Sequence, residues 1–275
     1  FETFLFVPDT TTSKGAHIRD CNDMKRTMIM VVVALMPALL FGFYNTGYMH
    51  FLSQGVQPEF WASLWFGFLK VLPLIVVSYV VGLGIEFAFA QFRGHEVNEG
   101  FLVSGLLIPM IMPVDIPLWM VALSTAFAVV FGKEVFGGTG MNVFNPALLA
   151  RAFVFFAYTP QMSGEKVWFA VDSVSGATAL EQLSTTGAMS YSNLDAFLGF
   201  IPGCVGETST LAILIGAAIL LFTGIASWRT MLSVFAGGWL MGLLFNAVGA
   251  NAYCEIPAWQ HLIVGGFAFG AVFMA

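Results

Sequence analysis

The feature that most constrains this chain is a series of long apolar runs. The run 67–90, for example, contains only two charged residues, Lys70 and Glu86. Soluble domains carry roughly 25% charged residues, whereas this chain carries 9% charged and 58% hydrophobic residues. Because a soluble fold cannot hide so much apolar surface, we expect lipid to surround most of the chain. The composition therefore excludes a cytosolic enzyme and a disordered linker.

The apolar runs predict eight membrane segments, several of them shorter than the ~20 residues of a full crossing. Short segments of this kind are expected to be tilted, broken or re-entrant. The predicted segments are 27–45, 67–90, 100–113, 118–131, 146–158, 210–225, 230–248 and 262–275. The predicted fold class is all-α: a polytopic transmembrane helix bundle with broken or half helices and an outer-face loop region.

Basic residues are concentrated on one side of the predicted bundle. Alternation of the segments places seven of the ten lysines and arginines on that side, namely Lys14, Arg19, Lys25, Arg26, Arg93, Lys133 and Arg229. The opposite loops 46–66, 114–117 and 249–260 contain none. Since cytoplasmic loops carry the excess of lysine and arginine, we expect a cytoplasmic N-terminus and an outer position for 159–209.

The chain divides into four predicted parts. These are a cytoplasmic segment 1–26, a first membrane group 27–158 of about five spans, an outer loop 159–209, and further membrane helices 210–275. The outer loop is rich in glycine, serine, threonine and aromatic residues, which predicts a small ordered cap. The chain begins with Phe1 and ends inside an apolar run, so we expect it to be a fragment.

Charge and cysteine content exclude two further classes of protein. The net charge is −6, and no basic patch points to a nucleic-acid partner. The three cysteines, Cys21, Cys204 and Cys254, are far apart and form no CxxC pair. Neither a disulfide framework nor a metal site is therefore expected.

The most informative motif is DSVSGATAL at 172–180. Its small residues Ser175, Gly176 and Ala177 let a bulky group approach the backbone, and Thr178 presents a hydroxyl. The pattern suits either a plain turn or a site at which the hydroxyl is modified. No histidine or lysine lies beside Thr178, which argues against a nucleophile of the hydrolase type.

A glycine run at 137–140 precedes Asn142, Asn145 and Pro146. Asn145 as N-cap with Pro146 in the first turn predicts a helix start. Such a glycine run either exposes backbone N–H groups to a ligand or is a chain break between two spans. It lacks the Lys-Ser/Thr pair of a P-loop, so nucleotide hydrolysis is not supported.

Two charged residues fall inside predicted spans, where ionisable side chains usually face the bundle interior or water. Glu86 follows Gly82 and Gly84, two residues that allow close helix approach. Glu86 is either an interior residue or a residue near the membrane interface. Arg151 lies in the span that follows Pro146, and its guanidinium suits either a structural role or a bidentate phosphate contact.

The segment IPGCVGETST at 201–210 leads into the span at 210–225. Residues 208–210 are suited to cap that helix. Gly206 and Glu207 are candidate contacts of a cofactor folded against the loop, although capping alone also explains the pattern.

The threonine motif, from Asp172 to Leu180, resembles the flavin-attachment motif of sodium-pumping NADH:quinone oxidoreductases and of the related Rnf complexes. Further matches cover nearly the whole chain from His17, and they resemble the B-subunit family of the sodium pumps more than the Rnf D subunits. These matches are HIRD at 17–20, KRTMIM at 25–30, HEVNEG at 95–100, KEVFGGTG at 133–140, NPA at 145–147 and IPGCVGETST at 201–210.

The resemblance implies two flavins. FMN would be esterified through its phosphate to Thr178 by a dedicated flavin transferase, with Ser175, Gly176, Ala177 and Asp172 around it. Further candidate contacts of that FMN are Arg151, Gly206 and Glu207. A non-covalent riboflavin would lie near the cytoplasmic face, and Asn142 and Asn145 are its candidate polar contacts.

The implied function is electron transfer in the bacterial inner membrane, within a complex of several subunits. Electrons would pass through FMN to riboflavin and on to ubiquinone or menaquinone, coupled to export of sodium ions. Glu86, with Gly82 and Gly84, is the candidate for the sodium or quinone path. Two alternatives remain: a D subunit of an Rnf-type ferredoxin:NAD oxidoreductase, and a secondary transporter without flavin.

Overall fold

The computed structural model describes residues 11–18, 23–94, 100–162 and 178–275. Within these ranges the chain forms helices joined by turns, with no strand, which confirms the all-α prediction. The helices are α1 (Met24–Ser53), α2 (Phe60–Arg93), α3 (Phe101–Met110), α4 (Leu118–Gly132), α5 (Pro146–Ala157), α6 (Thr159–Met162), α7 (Ala179–Thr186), α8 (Asn193–Leu198), α9 (Thr210–Phe222), α10 (Trp228–Val248), α11 (Ala252–Glu255), α12 (Gln260–Ile263) and α13 (Phe267–Phe273).

The helices fall into full-length and half-length membrane elements. Within the described part, four segments are long and apolar enough to cross a membrane: Met24–Ser53, Phe60–Arg93, Leu118–Phe136 and Trp228–Val248. Three further apolar helices, α3, α5 and α9, have only 10–13 residues. The bundle with half helices predicted from the apolar runs is therefore confirmed.

Two predicted boundaries are wrong. The loop expected at 46–66 is much shorter, because α1 continues to Ser53 and α2 begins at Phe60. The Thr46 hydroxyl donates to the carbonyl of Gly42 at 2.8 Å within α1, which lets this polar side chain lie in an apolar helix. The Asn45 amide donates instead to the carbonyl of Ile201 at 3.0 Å. The last predicted span, 262–275, is interrupted between α12 and α13, where Gly265 adopts a φ of +77°.

The buried face of α2 holds the bundle together. Its buried residues recur every three or four positions, as one helix face requires: Ser63, Gly67, Val71, Leu74, Ser78, Gly82, Glu86 and Ala90. A Cβ added at Gly67 would lie 1.8 Å from the carbonyl oxygen of Phe43, and one at Gly47 would lie 1.9 Å from that of Ser63. Glycine at these positions lets the backbones of α1 and α2 touch.

A second, smaller apolar core lies outside the bundle. It unites α7 and α8 with the segments around α11 and α12, and its buried members are Ala179, Leu183, Ala196, Ile201, Ile256 and Val264. The described part of 159–209 therefore packs around apolar residues, as the cap expected there would require. In contrast, α10 buries only Met231 and Gly242 against the rest of the described chain.

We expect Gly67→Ala to separate α1 from α2 and destabilise the bundle by about 1–3 kcal/mol, as overpacked cores do. The matched control on the same helix is Gly84→Ala, because a Cβ at Gly84 meets nothing within 4 Å in the described structure. The thermal unfolding midpoint in detergent should fall for the first variant and stay near that of the unchanged protein for the second. Equal midpoints for the two variants would contradict this packing.

Candidate functional site

Thr178 lies at the edge of a cavity of about 110 Å³, which we call the threonine cavity. The side chains around it come from α5, the start of α7, the loop before α9 and the turn before α13. The lining residues are Arg151, Thr178, Ala179, Leu180, Ile201, Pro202, Gly203, Cys204, Glu207, Thr208, Gly265 and Gly266. Three residues singled out from the sequence, Thr178, Arg151 and Glu207, are therefore brought together.

Thr178 is the N-cap of α7. Its Oγ1 accepts a hydrogen bond from the backbone N–H of Glu181 at 3.3 Å, so the plain structural role expected of a turn residue is present. The cap also places the hydroxyl at the positive end of the α7 dipole. The neighbouring candidates Asp172, Ser175, Gly176 and Ala177 lie outside the described residues.

Arg151 of α5 forms an ion pair with Glu207 of the loop before α9. The Arg151 side chain is 34% exposed and the Glu207 side chain 11% exposed, so the guanidinium is still accessible from the cavity. A Cβ at Gly266 would lie 2.7 Å from Glu207 Oε1. A side chain at 266 would therefore require the Glu207 carboxylate to move from this position.

Thr208 is a lining residue whose importance the sequence did not reveal. It is 3% exposed, and its Oγ1 is buried with no hydrogen-bond partner in the described structure. Unsatisfied buried hydroxyls are uncommon in native proteins and call for an explanation. A polar group bound in the threonine cavity would satisfy this hydroxyl. The sequence indicated only a capping role for 208–210, and it is Ser209 that caps α9, at 3.2 Å from the N–H of Ala212.

Cys204 and Gly206, two further residues of the loop before α9, contribute less to this site. Burial raises the pKa of the Cys204 thiol to about 12, so the thiol is neutral and is not a nucleophile. Gly206 does not line the threonine cavity, contrary to the expectation from the sequence. Its N–H donates to the carbonyl of Met110 at 2.8 Å, and a Cβ would lie 2.9 Å from that of Met110. Gly206 thus packs against the end of α3.

A second cavity, of about 480 Å³, lies where α1 begins, and we call it the asparagine cavity. Asn142 and Asn145 both line it, as do Thr139, Pro146 and Lys133. The preceding turn uses positive φ angles at Gly137, Gly138 and Gly140, which explains the glycine run. The helix start predicted at 145–146 is confirmed.

The two asparagines differ in what they can offer to a ligand. Asn145 Oδ1 accepts from the N–H of Ala147 at 2.9 Å as the cap of α5, so its amide nitrogen is the group left for a ligand. Asn142 is exposed to the cavity. The Thr139 Oγ1 is buried without a hydrogen-bond partner among the described residues. Together these groups give a polar edge to an otherwise apolar cavity.

Glu86 lies inside the bundle, paired with Lys133. Both side chains are 4% exposed, so Glu86 faces the interior of the bundle. Gly82 packs tightly, since a Cβ there would lie 1.9 Å from the Phe101 ring. The sequence predicts close helix approach at Gly84 as well, and within the described chain this prediction is wrong. Gly84 is exposed, and no described atom lies within 4 Å of an added Cβ.

Lys133 is buried, which the sequence did not predict. The sequence counted it only among the basic residues of the expected cytoplasmic side, and the structure places it directly after α4 with 3% exposure. The neighbouring Glu134 is also 3% exposed, and its Oε2 has no hydrogen-bond partner within the described ranges. The available signal was Glu86, a carboxylate in a predicted span that requires a positive partner.

Breaking the buried pair should destabilise the protein more than removing it. We expect Lys133→Met to cost about 3–5 kcal/mol, because it leaves the Glu86 carboxylate buried and unpaired. The double variant Lys133→Met/Glu86→Gln should recover part of that loss. Thermal unfolding midpoints of the single and double variants measure the coupling, and strictly additive effects would contradict a direct interaction.

Comparison with known proteins identifies the family. Residues 11–275 match the model of the NQR2, RnfD, RnfE family. The chain is 48% identical to the B subunit of the Na(+)-translocating NADH-quinone reductase of Chromohalobacter salexigens, over the whole chain and 73% of that protein. It is 45% identical to the B subunit of Azotobacter vinelandii and 44% identical to that of Pseudomonas aeruginosa, each match covering the whole chain and 75% of the relative. The resemblance drawn from the motifs is thus confirmed, and the chain belongs to the NQR2, RnfD, RnfE family.

Proposed function

We propose that this chain is the membrane electron-transfer subunit of a sodium-pumping NADH:quinone oxidoreductase and that it holds FMN on Thr178. The observation that carries the proposal is the threonine cavity. It combines an esterifiable hydroxyl, a guanidinium and an unsatisfied buried hydroxyl in one space, on Thr178, Arg151 and Thr208. The names of the relatives point to the same kind of complex.

The residues around Thr178 suit a phosphoester. The N-terminus of α7 favours negative charge through its dipole and its free N–H groups. The guanidinium of Arg151 can meet two phosphate oxygens with its planar fork, while Glu207 holds that guanidinium in place. The Thr208 hydroxyl can donate to one of the same two non-bridging oxygens. FMN, once bound, supplies the redox chemistry, and the protein supplies binding, orientation and electrostatics.

The asparagine cavity is the proposed site of riboflavin. Its volume of about 480 Å³ falls within the ~300–1,000 Å³ of small-molecule sites. The Asn142 amide, the Asn145 amide nitrogen and the Thr139 hydroxyl would contact the polar groups of the flavin. Since no charged phosphate needs to be bound, a cavity with amides and a single lysine is sufficient.

The half helix α5 connects the two proposed flavin sites. Pro146 lines the asparagine cavity and Arg151 lines the threonine cavity. Five residues of α-helix correspond to a rise of about 7.5 Å along the axis. The same short element therefore contributes to both sites, which supports direct electron transfer between them.

The buried Glu86–Lys133 pair is the proposed element of the sodium or quinone path. Lys133 also lines the asparagine cavity, so a charge on Glu86 and a flavin in that cavity would share one neighbour. A sodium ion bound at the Glu86 carboxylate would displace the Lys133 ammonium. The positive charge of Lys133 would then lie closer to the flavin. The pair thereby provides a physical link between ion binding and flavin reduction.

The proposal includes an orientation and a set of partners. The distribution of lysine and arginine supports an inner-membrane protein with a cytoplasmic N-terminus and Thr178 on the periplasmic side. The partners would be the other subunits of the complex, a flavin transferase acting on Thr178, and ubiquinone or menaquinone as electron acceptor. An Rnf-type D subunit is the second candidate within the same family, and the names of the relatives, all B subunits of the sodium-translocating reductase, favour the first.

We expect Thr178→Ala to abolish covalent flavin fluorescence of the denatured subunit in a gel, because the acceptor oxygen is removed. Thr178→Ser should keep the fluorescent band, since it retains both the hydroxyl and the N-cap. The measurement requires co-expression with the flavin transferase.

The matched control is Thr185→Ala, at another threonine of α7, whose hydroxyl donates to the Glu181 carbonyl at 2.9 Å. Its band should equal that of the unchanged chain. A colourless unchanged chain would contradict the flavin proposal and would favour the secondary transporter.

Glu86→Gln should weaken the sodium dependence of quinone reduction, since the neutral amide no longer attracts a cation. The control Glu59→Gln makes the same chemical change at the exposed N-cap of α2 and should leave the sodium response intact. The rate of quinone reduction against sodium concentration is the measurement. An unaltered sodium response in Glu86→Gln would remove Glu86 from the path.

A further inference from the structure

A third cavity, of about 220 Å³, adjoins the threonine cavity. Leu180 and Gly266 line both cavities, and Leu180 is only two residues from Thr178 at the start of α7. Its other walls come from α10, α11, α12 and the start of α13. We call it the histidine cavity, after His261.

The walls of the histidine cavity suit a flat aromatic group. Phe245 and Tyr253 line it together with His261, whose ring centroid lies 5.1 Å from that of Tyr253 and 6.5 Å from that of Phe245. Gly238 and Gly242 form part of the wall on the α10 side. Aromatic rings at such separations pack on one another, so they form a continuous aromatic wall. On the α10 side a Cβ added at Gly238 would lie 2.3 Å from the Phe267 ring, so this wall is closely packed.

His261 is the polar group in this cavity that lacks a partner. Its Nε2 is buried and has no hydrogen bond within the described residues. Burial lowers the pKa of His261, so the ring is neutral at pH 7 and one of its nitrogens carries a proton. A neutral imidazole with a buried, unpaired nitrogen is suited to a hydrogen bond with an uncharged polar ligand.

We propose that the histidine cavity takes the isoalloxazine ring of the flavin attached at Thr178, with His261 Nε2–H donating a hydrogen bond to a carbonyl oxygen of that ring. The inference rests on the proposed flavin attachment. The shared wall of Leu180 and Gly266 puts the ring site next to the phosphate site, which is the arrangement that a flavin with a short sugar chain requires. His261 is a positioning residue that also tunes the flavin.

A donor to the flavin carbonyl stabilises the reduced ring more than the oxidised ring, because reduction adds electron density to that oxygen. Loss of this donor in His261→Leu should therefore lower the midpoint potential of the flavin. We expect a change of up to tenfold in the equilibrium between reduced and oxidised flavin, about 30 mV for a two-electron couple. His261→Gln, whose amide also donates, should retain most of the potential.

The test uses the assembled complex. The absorption spectrum of the Thr178→Ala complex, subtracted from that of the unchanged complex, isolates the flavin held by Thr178. The same subtraction for the His261 variants, followed by potentiometric titration, gives its band positions and midpoint potential. The control His50→Leu changes another histidine, one stacked on Phe66 at 4.0 Å and outside the lining of the histidine cavity, and it should leave the spectrum unchanged.

A second pair of variants covers the case in which His261→Leu fails to assemble. Met241 is 52% exposed and lines the cavity, whereas the adjacent Leu240 is 61% exposed and does not line it. Met241→Trp should displace the ring and shift the difference spectrum, and Leu240→Trp should not.

The outcomes separate the two proposals. Absence of a fluorescent band in the unchanged denatured subunit would overturn the attachment of flavin at Thr178. A normal band with unaltered spectrum and potential in His261→Leu, or with an unaltered spectrum in Met241→Trp, would overturn the placement of the ring beside His261.

Discussion

The structure depends on one constraint: in an apolar solvent, each charged side chain inside the bundle needs an opposite charge within reach. The described chain meets this constraint at two ion pairs, Glu86–Lys133 and Arg151–Glu207, whereas the buried Glu134 has an oxygen without a hydrogen-bond partner in the described residues. Each pair joins segments far apart in the chain, so each fixes the tertiary arrangement as well as the charge. Both pairs also border a candidate ligand cavity. Arg151 and Glu207 both line the threonine cavity, and Lys133 lines the asparagine cavity.

The half helices give these charges their positions. A helix that crosses the membrane has its ends in water, whereas α5, with 12 residues, is too short for a full crossing. Its capped start at Asn145 and its Arg151 consequently lie at two different cavities. Short helices of this kind place helix termini and polar side chains at membrane depth, where irregular backbone is tolerated only if protein surrounds it. The three proposed ligand cavities all lie next to such interruptions of the helical pattern.

Several parts of this arrangement are readable from the sequence. Apolar runs give the helices, because the lipid requires continuous apolar segments. Asn145 and Pro146 give the start of α5, because capping is a local effect. The threonine motif and its neighbours give the family. Arg151 and Glu207, singled out separately, prove to be partners in one cavity.

Other parts depend on contacts that no local pattern encodes. The burial of Lys133 follows from its pairing with Glu86, 47 residues away, which the residues next to Lys133 do not indicate. Gly82 and Gly84 look equivalent in sequence, yet only Gly82 faces a neighbouring helix. The positions of Thr208 and His261 as cavity walls with unpaired atoms depend on the meeting of several segments between residues 151 and 267.

The sparse packing of α10 has a consequence for assembly. With only Met231 and Gly242 buried against the described chain, α10 gains little packing energy from it, and its lateral position is set by the lipids or membrane helices around it. One wall of the histidine cavity belongs to α10, so the width of that cavity is coupled to those neighbours. The colour of a flavin bound there would then act as a built-in reporter of whether the surrounding complex is complete.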